Sequence, residues 1–250
     1  MNGTGECNEG VGAFFDVDGT LIAGPSLERI FFHAARQCGA IRMANYVRWV
    51  RESVRLLPQG ITAVIHGNKR HWSGVRYDQV LQQTAPILFF EEGLERAEWH
   101  ARLGHRIVLV SGMPELLAEM VARAMECELE AHGVNSDVIV CATRMEERDG
   151  KWTGRLLGNA MYGEEKSRAV KRVARERRID LRRSHAYGNT LLDWPMLAEV
   201  GHAHAVNPGT DLGVVANQFN WEICHWHVKR SAAEEALVAG SMMRGGESRA

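Results

Sequence analysis

Long apolar runs are missing from this 250-residue chain. No stretch approaches the roughly 18 uninterrupted apolar residues of a membrane-spanning helix, because a charged residue interrupts every candidate. The segment from Met1 to Gly10 also lacks the basic start and apolar core of a secretory signal. The five cysteines are widely spaced, and none forms a Cys-x-x-Cys motif. We therefore expect no transmembrane segment, no disulfide framework and a cytoplasmic location.

An excess of charge of either sign is missing as well. The chain has 30 Lys and Arg against 31 Asp and Glu, a formal net charge of −1. No bulk affinity for nucleic acid is expected, and nucleic acid is excluded as the predicted partner. The composition, with 45% hydrophobic and 24% charged residues, is typical of a folded globular protein. The length allows one large domain, or one domain with a smaller module. The oligomeric state cannot be inferred from these features.

Short apolar runs that end in polar turns indicate buried parallel strands. The clearest runs are residues 11–15, before Asp16, and residues 106–110, before Ser111. Weaker runs lie at 138–141, 185–187 and 204–206. Helical patterns lie between them, at 115–130 and 164–178. This alternation predicts an α/β fold with a doubly wound parallel sheet.

Residues 24–84 interrupt the alternation with helical patterns. The pattern at 43–57 has an apolar stripe formed by Tyr46, Val47, Val50, Val54 and Leu57. We interpret the region as a helical insertion after the first strand. A hairpin is predicted at 146–156, around Asp149-Gly150. The predicted organisation is a flexible N-terminus (1–10), an α/β core (11–23 and 85–230), the helical insertion or cap (24–84) and a flexible tail (231–250).

Polar clusters follow the predicted strands, where ligands bind in open α/β sheets. Asp16 and Asp18 come directly after the first strand. Carboxylates this close raise a pKa or require a cation, and their hard oxygens favour Mg²⁺. Ser111 and Gly112 begin a helix and suit an anionic oxygen.

Two further clusters complete the set. Lys166 lies near the start of a predicted helix and can supply a fixed positive charge. Asn189 and Asp193 lie in the segment that follows the strand at 185–187. Each cluster alone is common in ordinary turns, and only the occurrence of all four together indicates a functional site.

The four clusters resemble, in order, the four motifs of the haloacid dehalogenase-like superfamily. The matching segments are FFDVDGTL, VLVSG, GEEK and AYGNTLLDWPML, and the resemblance is to the phosphoserine phosphatase-related branch, subfamily IB. It implies a Rossmann-like core with an inserted helical cap. It also implies a Mg²⁺-dependent phosphomonoester hydrolase that acts on a small phosphorylated metabolite through an aspartyl-phosphate intermediate.

By this resemblance, Asp16 is the nucleophile and Asp18 the general acid and base. The groups that hold phosphate oxygens are Thr20, Ser111 and Gly112, and Lys166 binds the substrate by neutralising its charge. The metal ligands implied are Asp16, Asp18, Asn189 and Asp193.

The chain departs from the branch at Asn189, where an aspartate is usual. The loss of a negative charge is expected to weaken Mg²⁺ binding. A weakly active or non-catalytic protein that binds a phosphate ligand, with a regulatory role, is therefore an alternative to the phosphatase.

The substrate remains open at the sequence level. The acid nearest to the first motif, Glu28, is shifted from the spacing usual for phosphoserine enzymes, which argues against phosphoserine. A row formed by Arg48, Arg51 and Arg55 could meet an anionic substrate or lipid headgroups, which leaves a lipid phosphate open, but such a row is more often a solvated face.

Overall fold

The computed structural model describes residues 10–76, 78 and 87–228, and the structural statements below concern these residues. The strands are β1 (Gly12–Phe15), β2 (Arg106–Pro114), β3 (Ile139–Thr143), β4 (Met145–Arg148), β5 (Lys151–Leu156), β6 (His185–Gly188), β7 (His202–Val206) and β8 (Glu222–Cys224). Six of them form one sheet in the order β3-β2-β1-β6-β7-β8, with every neighbouring pair parallel. The chain order reverses at β1, so the crevice beyond the carboxyl end of β1 is where a ligand is expected.

Helices cover both faces of this sheet. The α-helices with described bounds are α1 (Leu27–Gln37), α2 (Met43–Leu56), α3 (Ile61–Gly67), α4 (Glu91–Arg102), α5 (Glu115–Ala131), α6 (Glu164–Arg177), α7 (Trp194–Leu197) and α8 (Thr210–Gln218). Phe14 and Phe15, neighbours on β1, are both buried but belong to separate hydrophobic cores. Adjacent strand residues point to opposite faces, so a sheet buried on both sides needs such a continuous apolar run. The predicted doubly wound parallel sheet is confirmed.

Strands β4 and β5 form a short antiparallel hairpin that is separate from the main sheet. Its loop residues, Asp149 and Gly150, have φ values of 53° and 69°. Two successive residues with positive φ are what a two-residue hairpin loop requires, and Asp-Gly meets that requirement well. The predicted hairpin is confirmed.

The region between β1 and α4 contains helices α1, α2 and α3. Backbone hydrogen bonds join the segment that leaves the core after β1 to the segment that returns to it before α4. They run from Ala23 N to the Leu88 carbonyl (2.8 Å) and from Phe90 N to the Leu21 carbonyl (2.9 Å). The two linkers therefore run side by side as a ribbon. The predicted boundary at residue 84 lies outside the described residues, as do residues 1–9 of the predicted N-terminus and the whole predicted tail, 231–250. Gly10 is described, and its N–H donates to the Arg178 carbonyl (2.8 Å).

Helix α2 does not bury the apolar stripe predicted for it. Val47, Val50, Val54 and Leu57 are 65%, 53%, 63% and 55% exposed. The helix instead packs through Asn45, which is 3% exposed and donates from Nδ2 to two backbone carbonyls of the segment around Trp72, at 2.9 and 2.7 Å. The side of α2 that faces the protein interior is therefore set by a buried, hydrogen-bonded amide and not by the apolar stripe. Among the described helices, none combines the length and apolar character needed to span a bilayer.

Candidate active site

The four motifs meet at the carboxyl end of the sheet, where they line a cavity of about 620 Å³. Asp16 directly follows β1, and Asn189 directly follows the neighbouring strand β6. Ser111 lies on β2, on the other side of β1, just before an irregularity in its pairing with β3. Lys166 reaches the same place from the first turn of α6. Parallel strands bring residues far apart in sequence to one edge, as the sequence predicted.

The floor of this cavity is a buried cluster of three charged side chains. Lys166 Nζ donates to Asp16 Oδ1 and to Asp193 Oδ1, each at 2.6 Å. Burial, reinforced by the charge of Asp193, raises the pKa of Asp16 to about 7 despite the opposing effect of Lys166. Burial would lower the pKa of Lys166, but the carboxylates of Asp16 and Asp193 outweigh it and hold that pKa above its ordinary value. Two carboxylates against one ammonium leave a site that attracts a further cation.

The turn after β1 fixes the Asp16 carboxylate from behind. Thr20 Oγ1 donates to Asp16 Oδ2 at 2.9 Å, and the Asp16 N–H donates to the Tyr187 carbonyl at 2.9 Å. Thr20 is fully buried and does not line the cavity. The turn folds the Thr20 hydroxyl back onto Asp16, and the assignment of Thr20 as a phosphate-binding group stays a prediction. Gly19 has a φ of 79°, and a Cβ there would lie 2.1 Å from Asn189 Nδ2, so the turn requires glycine.

Asp18 lines the cavity and is held by the insertion. Its Oδ1 accepts a hydrogen bond from the N–H of Leu27, the first residue of α1, at 3.0 Å. The first N–H groups of a helix have no partner within the helix, so a carboxylate is a natural acceptor for them. Burial raises the pKa of Asp18 to about 6, against the lowering effect of that hydrogen bond. The side chain predicted to move protons is therefore oriented by the first helix of the insertion.

Ser111 and Gly112 line the cavity opposite Asp16. The Ser111 Oγ accepts from the N–H of Met113 at 3.3 Å, and the Gly112 carbonyl accepts from the hydroxyl of Thr143 at 2.8 Å. Thr143 also accepts from the N–H of Met161 at 3.0 Å, so it ties three backbone segments together behind the site. No sequence signal pointed to Thr143, because its role depends entirely on tertiary contacts.

In the fourth motif, Asp193 orders the loop around itself. Its Oδ2 accepts from the N–H of Asn189 (3.1 Å) and from the N–H and hydroxyl of Thr190 (both 2.9 Å), while Oδ1 accepts from Lys166. The side chains of Asp16, Asp18, Asn189 and Asp193 all line the cavity. They offer carboxylate and carboxamide oxygens, a donor set that suits Mg²⁺. Their assignment as metal ligands stays a prediction.

The insertion contributes a second ion pair, of which the sequence analysis identified only the acid, Glu28. Lys69 Nζ donates to Glu28 Oε1 (2.7 Å) and Oε2 (2.5 Å), and Trp72 Nε1 donates to Glu28 Oε1 (3.0 Å). Burial alone would raise the pKa of Glu28, but Lys69 outweighs it and lowers that pKa. Glu28 was noted from the sequence, whereas Lys69 and Trp72 come close to it only in three dimensions.

The insertion also supplies apolar walls. These are Phe32, Tyr46, Trp49 and Ile65, which face Met113, Met161, Tyr162 and Leu192 of the core side of the cavity. Arg48, Arg51 and Arg55 are exposed and do not line this cavity, and Arg55 pairs with Glu52 at 2.7 Å. The Arg row thus lies on the side of the helix away from this cavity, whereas Tyr46 and Trp49 of the same helix line it.

The family model of the haloacid dehalogenase-like hydrolases matches residues 13–198, which include all four motifs. The chain belongs to this family. A relative from Mycobacterium tuberculosis named phosphoserine phosphatase SerB1 is 28% identical over 92% of this chain and 76% of its own length. The prediction of a phosphatase of this family, phosphoserine phosphatase-like, is confirmed.

Solved structures share the fold of this haloacid dehalogenase-like chain. A Bordetella pertussis protein of unknown function aligns with a TM-score of 0.62 and 21% identity, over 86% of this chain and 98% of that one. A phosphoserine phosphatase, described as a phospho-aspartyl intermediate analogue, aligns with a TM-score of 0.57 and 17% identity, over 92% of this chain and 99% of that one. At these identities the likeness concerns the fold.

Proposed function

We propose that this phosphatase is a Mg²⁺-dependent phosphomonoester hydrolase that forms an aspartyl-phosphate on Asp16. The observation that carries the proposal is the buried cluster in which Lys166 bridges Asp16 and Asp193 at the floor of the cavity. A carboxylate kept in place by an ammonium and a hydroxyl is preorganised to attack phosphorus. Preorganised charges account for much of the rate of phosphoryl transfer, because the protein performs little other covalent chemistry.

In the first step, a carboxylate oxygen of Asp16 attacks phosphorus while the bond from phosphorus to the alcohol oxygen breaks. Asp18 donates its proton to the departing oxygen, so that an alcohol leaves rather than an alkoxide. Lys166 and the N–H of Gly112 face the negative charge of the phosphoryl oxygens. The expected roles of Ser111 and Gly112 as phosphate-binding groups are part of this proposal.

In the second step, water attacks the phosphorus of the aspartyl-phosphate and Asp18 takes up the proton of that water. The bond between phosphorus and the Asp16 oxygen breaks, which regenerates the carboxylate and yields inorganic phosphate. Asp18 thus returns to its protonated form, and no other acid or base is needed.

The oxygen donors at the cavity floor fit Mg²⁺, since two carboxylates face a single ammonium there. In our proposal Asp16, the backbone carbonyl of Asp18 and the carboxamide oxygen of Asn189 would hold the ion. Asp193 already accepts from Lys166 and from the N–H groups of Asn189 and Thr190, and it would orient these groups. When bound, Mg²⁺ would withdraw charge from the phosphoryl oxygens.

The alternative is a weakly active or non-catalytic protein that binds a phosphate ligand and has a regulatory role. It is favoured by one observation, the neutral Asn189 at a position where the branch usually has an acid. A cytoplasmic location and a small phosphorylated metabolite as substrate also stay predictions.

The test is phosphate release from p-nitrophenyl phosphate, with Mg²⁺ and with a chelator. We expect Asp16→Asn to lower kcat by about 10⁴-fold or more, as the loss of a nucleophile does. Asp18→Asn should lower it by about 10²–10⁴-fold, as the loss of a general acid does. Asp137→Asn is the matched control, because Asp137 is exposed and outside the cavity.

Near-normal turnover by Asp16→Asn would refute the nucleophile assignment. Wild-type protein that binds inorganic phosphate by calorimetry, yet releases none from the ester, would support the alternative.

A further inference from the structure

The cavity extends well beyond the phosphate-binding cluster. Its volume of about 620 Å³ lies within the range of pockets that enclose drug-sized ligands. Asp16 and Lys166 occupy its floor, while α1, α2 and α3 contribute the opposite wall. A leaving group must occupy the space between the floor and this wall, so the side chains there determine which alcohol is accepted.

Four side chains form an apolar part of the wall from the insertion, beside its polar residues Ser26, Glu28, Arg29, His66, Asn68, Lys69 and His71. Phe32 comes from α1, Tyr46 and Trp49 from α2, and Ile65 from α3. Trp49 and Ile65 are 36% and 62% exposed, which places them where the cavity opens to solvent. Exposed apolar side chains that continue into a cavity mark a site for apolar ligand surface.

Every carboxylate in the described part of this cavity already has an ionic or hydrogen-bonded partner. The acids that line it are Asp16, Asp18, Glu28 and Asp193. Asp16 and Asp193 bind Lys166, and Asp18 accepts from the first helix of the insertion. Glu28, the acid on the insertion side, is neutralised by Lys69, which is only 6% exposed. The amino group of a phosphorylated amino acid would therefore have to compete with these partners for a carboxylate.

We infer that Phe32, Tyr46, Trp49 and Ile65 form a subsite for a leaving group with a bulky apolar body, either a chain or a ring system, and without an ammonium group. The inference rests on the proposed function in one respect: the phosphoryl end lies at Asp16 and Lys166. The apolar body then lies against the insertion, where burial of its surface strengthens binding.

Binding of non-hydrolysable phosphonates tests this without requiring turnover. A series from methyl- to decylphosphonate, with phenyl- and 1-naphthylphosphonate as ring analogues, is titrated calorimetrically in the presence of Mg²⁺. We expect the association constant to rise about three- to four-fold for each methylene that enters the cavity, until it is filled. The phosphonate analogue of phosphoserine should bind more weakly than propylphosphonate. The alkyl and aryl arms distinguish a chain from a ring system.

Two isoleucines on α3 provide a matched pair of variants. Ile65 lines the cavity and Ile61 does not, although the two are 62% and 65% exposed. Ile65→Ala should flatten the dependence of binding on chain length, whereas Ile61→Ala should leave it as in the wild type. A flat dependence in the wild type, tightest binding of the amino-acid analogue, or equal effects of the two substitutions would each overturn the inference.

The two proposals fail in distinguishable ways. Chain-length-dependent binding without hydrolysis of any ester would refute the proposed function and leave the subsite intact. Hydrolysis of p-nitrophenyl phosphate together with chain-length-independent binding would refute the subsite alone.

Discussion

At the carboxyl end of the main sheet, the buried titratable side chains are arranged as charges. Lys166 lies between Asp16 and Asp193, and the three side chains are 2–8% exposed. At the amino end, the buried titratable side chains form a hydrogen-bonded imidazole and phenol chain instead. His100 is fully buried, with its two ring nitrogens 2.8 Å from His105 Nδ1 and from the Tyr187 hydroxyl.

A second imidazole pair extends the chain at the amino end. His185 Nδ1 and His204 Nε2 are 3.1 Å apart, and the other ring nitrogen of His204 lies 2.8 Å from Glu222. Burial, together with the charges of neighbouring histidines, lowers the pKa of His100 to about 2 and that of His185 to about 4. These histidines are therefore neutral near pH 7, whereas Lys166 is charged.

The difference shows where this fold tolerates buried charge. A buried ion pair contributes little net stability compared with an apolar replacement, because desolvation offsets most of the attraction. Neutral hydrogen-bonded rings avoid that cost, and His100 packs edge-to-face against Phe15 and Tyr187. Charge is thus retained at the end where the proposed chemistry needs it, and the opposite end is built from neutral groups.

The largest expected effect on stability comes from removing the central cation. Lys166→Met leaves the carboxylates of Asp16 and Asp193 buried without a partner, and we expect a loss of about 3–5 kcal/mol in the free energy of unfolding. Urea denaturation at pH 7.5 measures it. Lys171→Met, on the same helix and half-exposed, breaks the pair with Glu199 and should cost less than about 1 kcal/mol. Equal losses in both variants would show that Asp16 and Asp193 do not depend on Lys166 for compensation of their charge.

A smaller effect is expected at the amino end, and it depends on pH. Because the pKa of His100 is lower in the folded protein than the ordinary 6.5, the unfolded chain takes up the proton first as the pH falls. The stabilisation is complete above about pH 6.5 and declines below it. We expect His100→Gln to be less stable than the wild type at pH 7.5 by about 1–2 kcal/mol, and this gap should narrow by about 1–2 kcal/mol at pH 5.

The measurement is urea denaturation of both proteins from pH 7.5 to pH 5. His33→Gln, at an exposed position, is the control for the same chemical change. A gap between wild type and His100→Gln that stays constant over this range would show that His100 does not take up its proton differently in the two states. The quantity to compare is the difference in the free energy of unfolding between the two proteins. Asp16 and Asp18 have raised pKa values, so in both proteins they add stability as the pH falls, opposite to the effect of His100.

The smallest expected effect concerns the charge of the fourth motif. Asn189→Asp adds a third carboxylate to the cluster, so it should tighten Mg²⁺ binding several-fold, since ligand charge tunes the affinity of such sites. Titration of activity against Mg²⁺ in both proteins measures the shift. An unchanged or weaker requirement for the metal would mean that Asn189 is not a ligand.

The sheet and the floor of the site were predictable because both follow from local patterns. Apolar runs such as 106–110 indicate buried strands, and parallel strands necessarily bring the residues after them to one edge. The wall of the cavity was not predictable in the same way. Periodicity showed that α2 has two faces, but the choice of inward face depends on Asn45 and the carbonyls it meets. The pairing of Glu28 with Lys69 depends on how α1 packs against the segment that follows α3, and no local pattern encodes that packing.

The ribbon formed by the two linkers makes the insertion replaceable as a unit. Because Ala23 and Leu88 lie side by side, an insertion of any length enters and leaves the core through the same point, and the strand order of the sheet is unaffected. Two contacts limit what can be exchanged: the one with Asp18, and the backbone hydrogen bonds of Gly74 and Val75 with Trp152 of β5. The N–H of Leu27 binds Asp18, so a transplanted module must begin with a helix whose first N–H reaches that carboxylate. Grafting experiments between related proteins should therefore cut within the ribbon and retain Ser26 and Leu27.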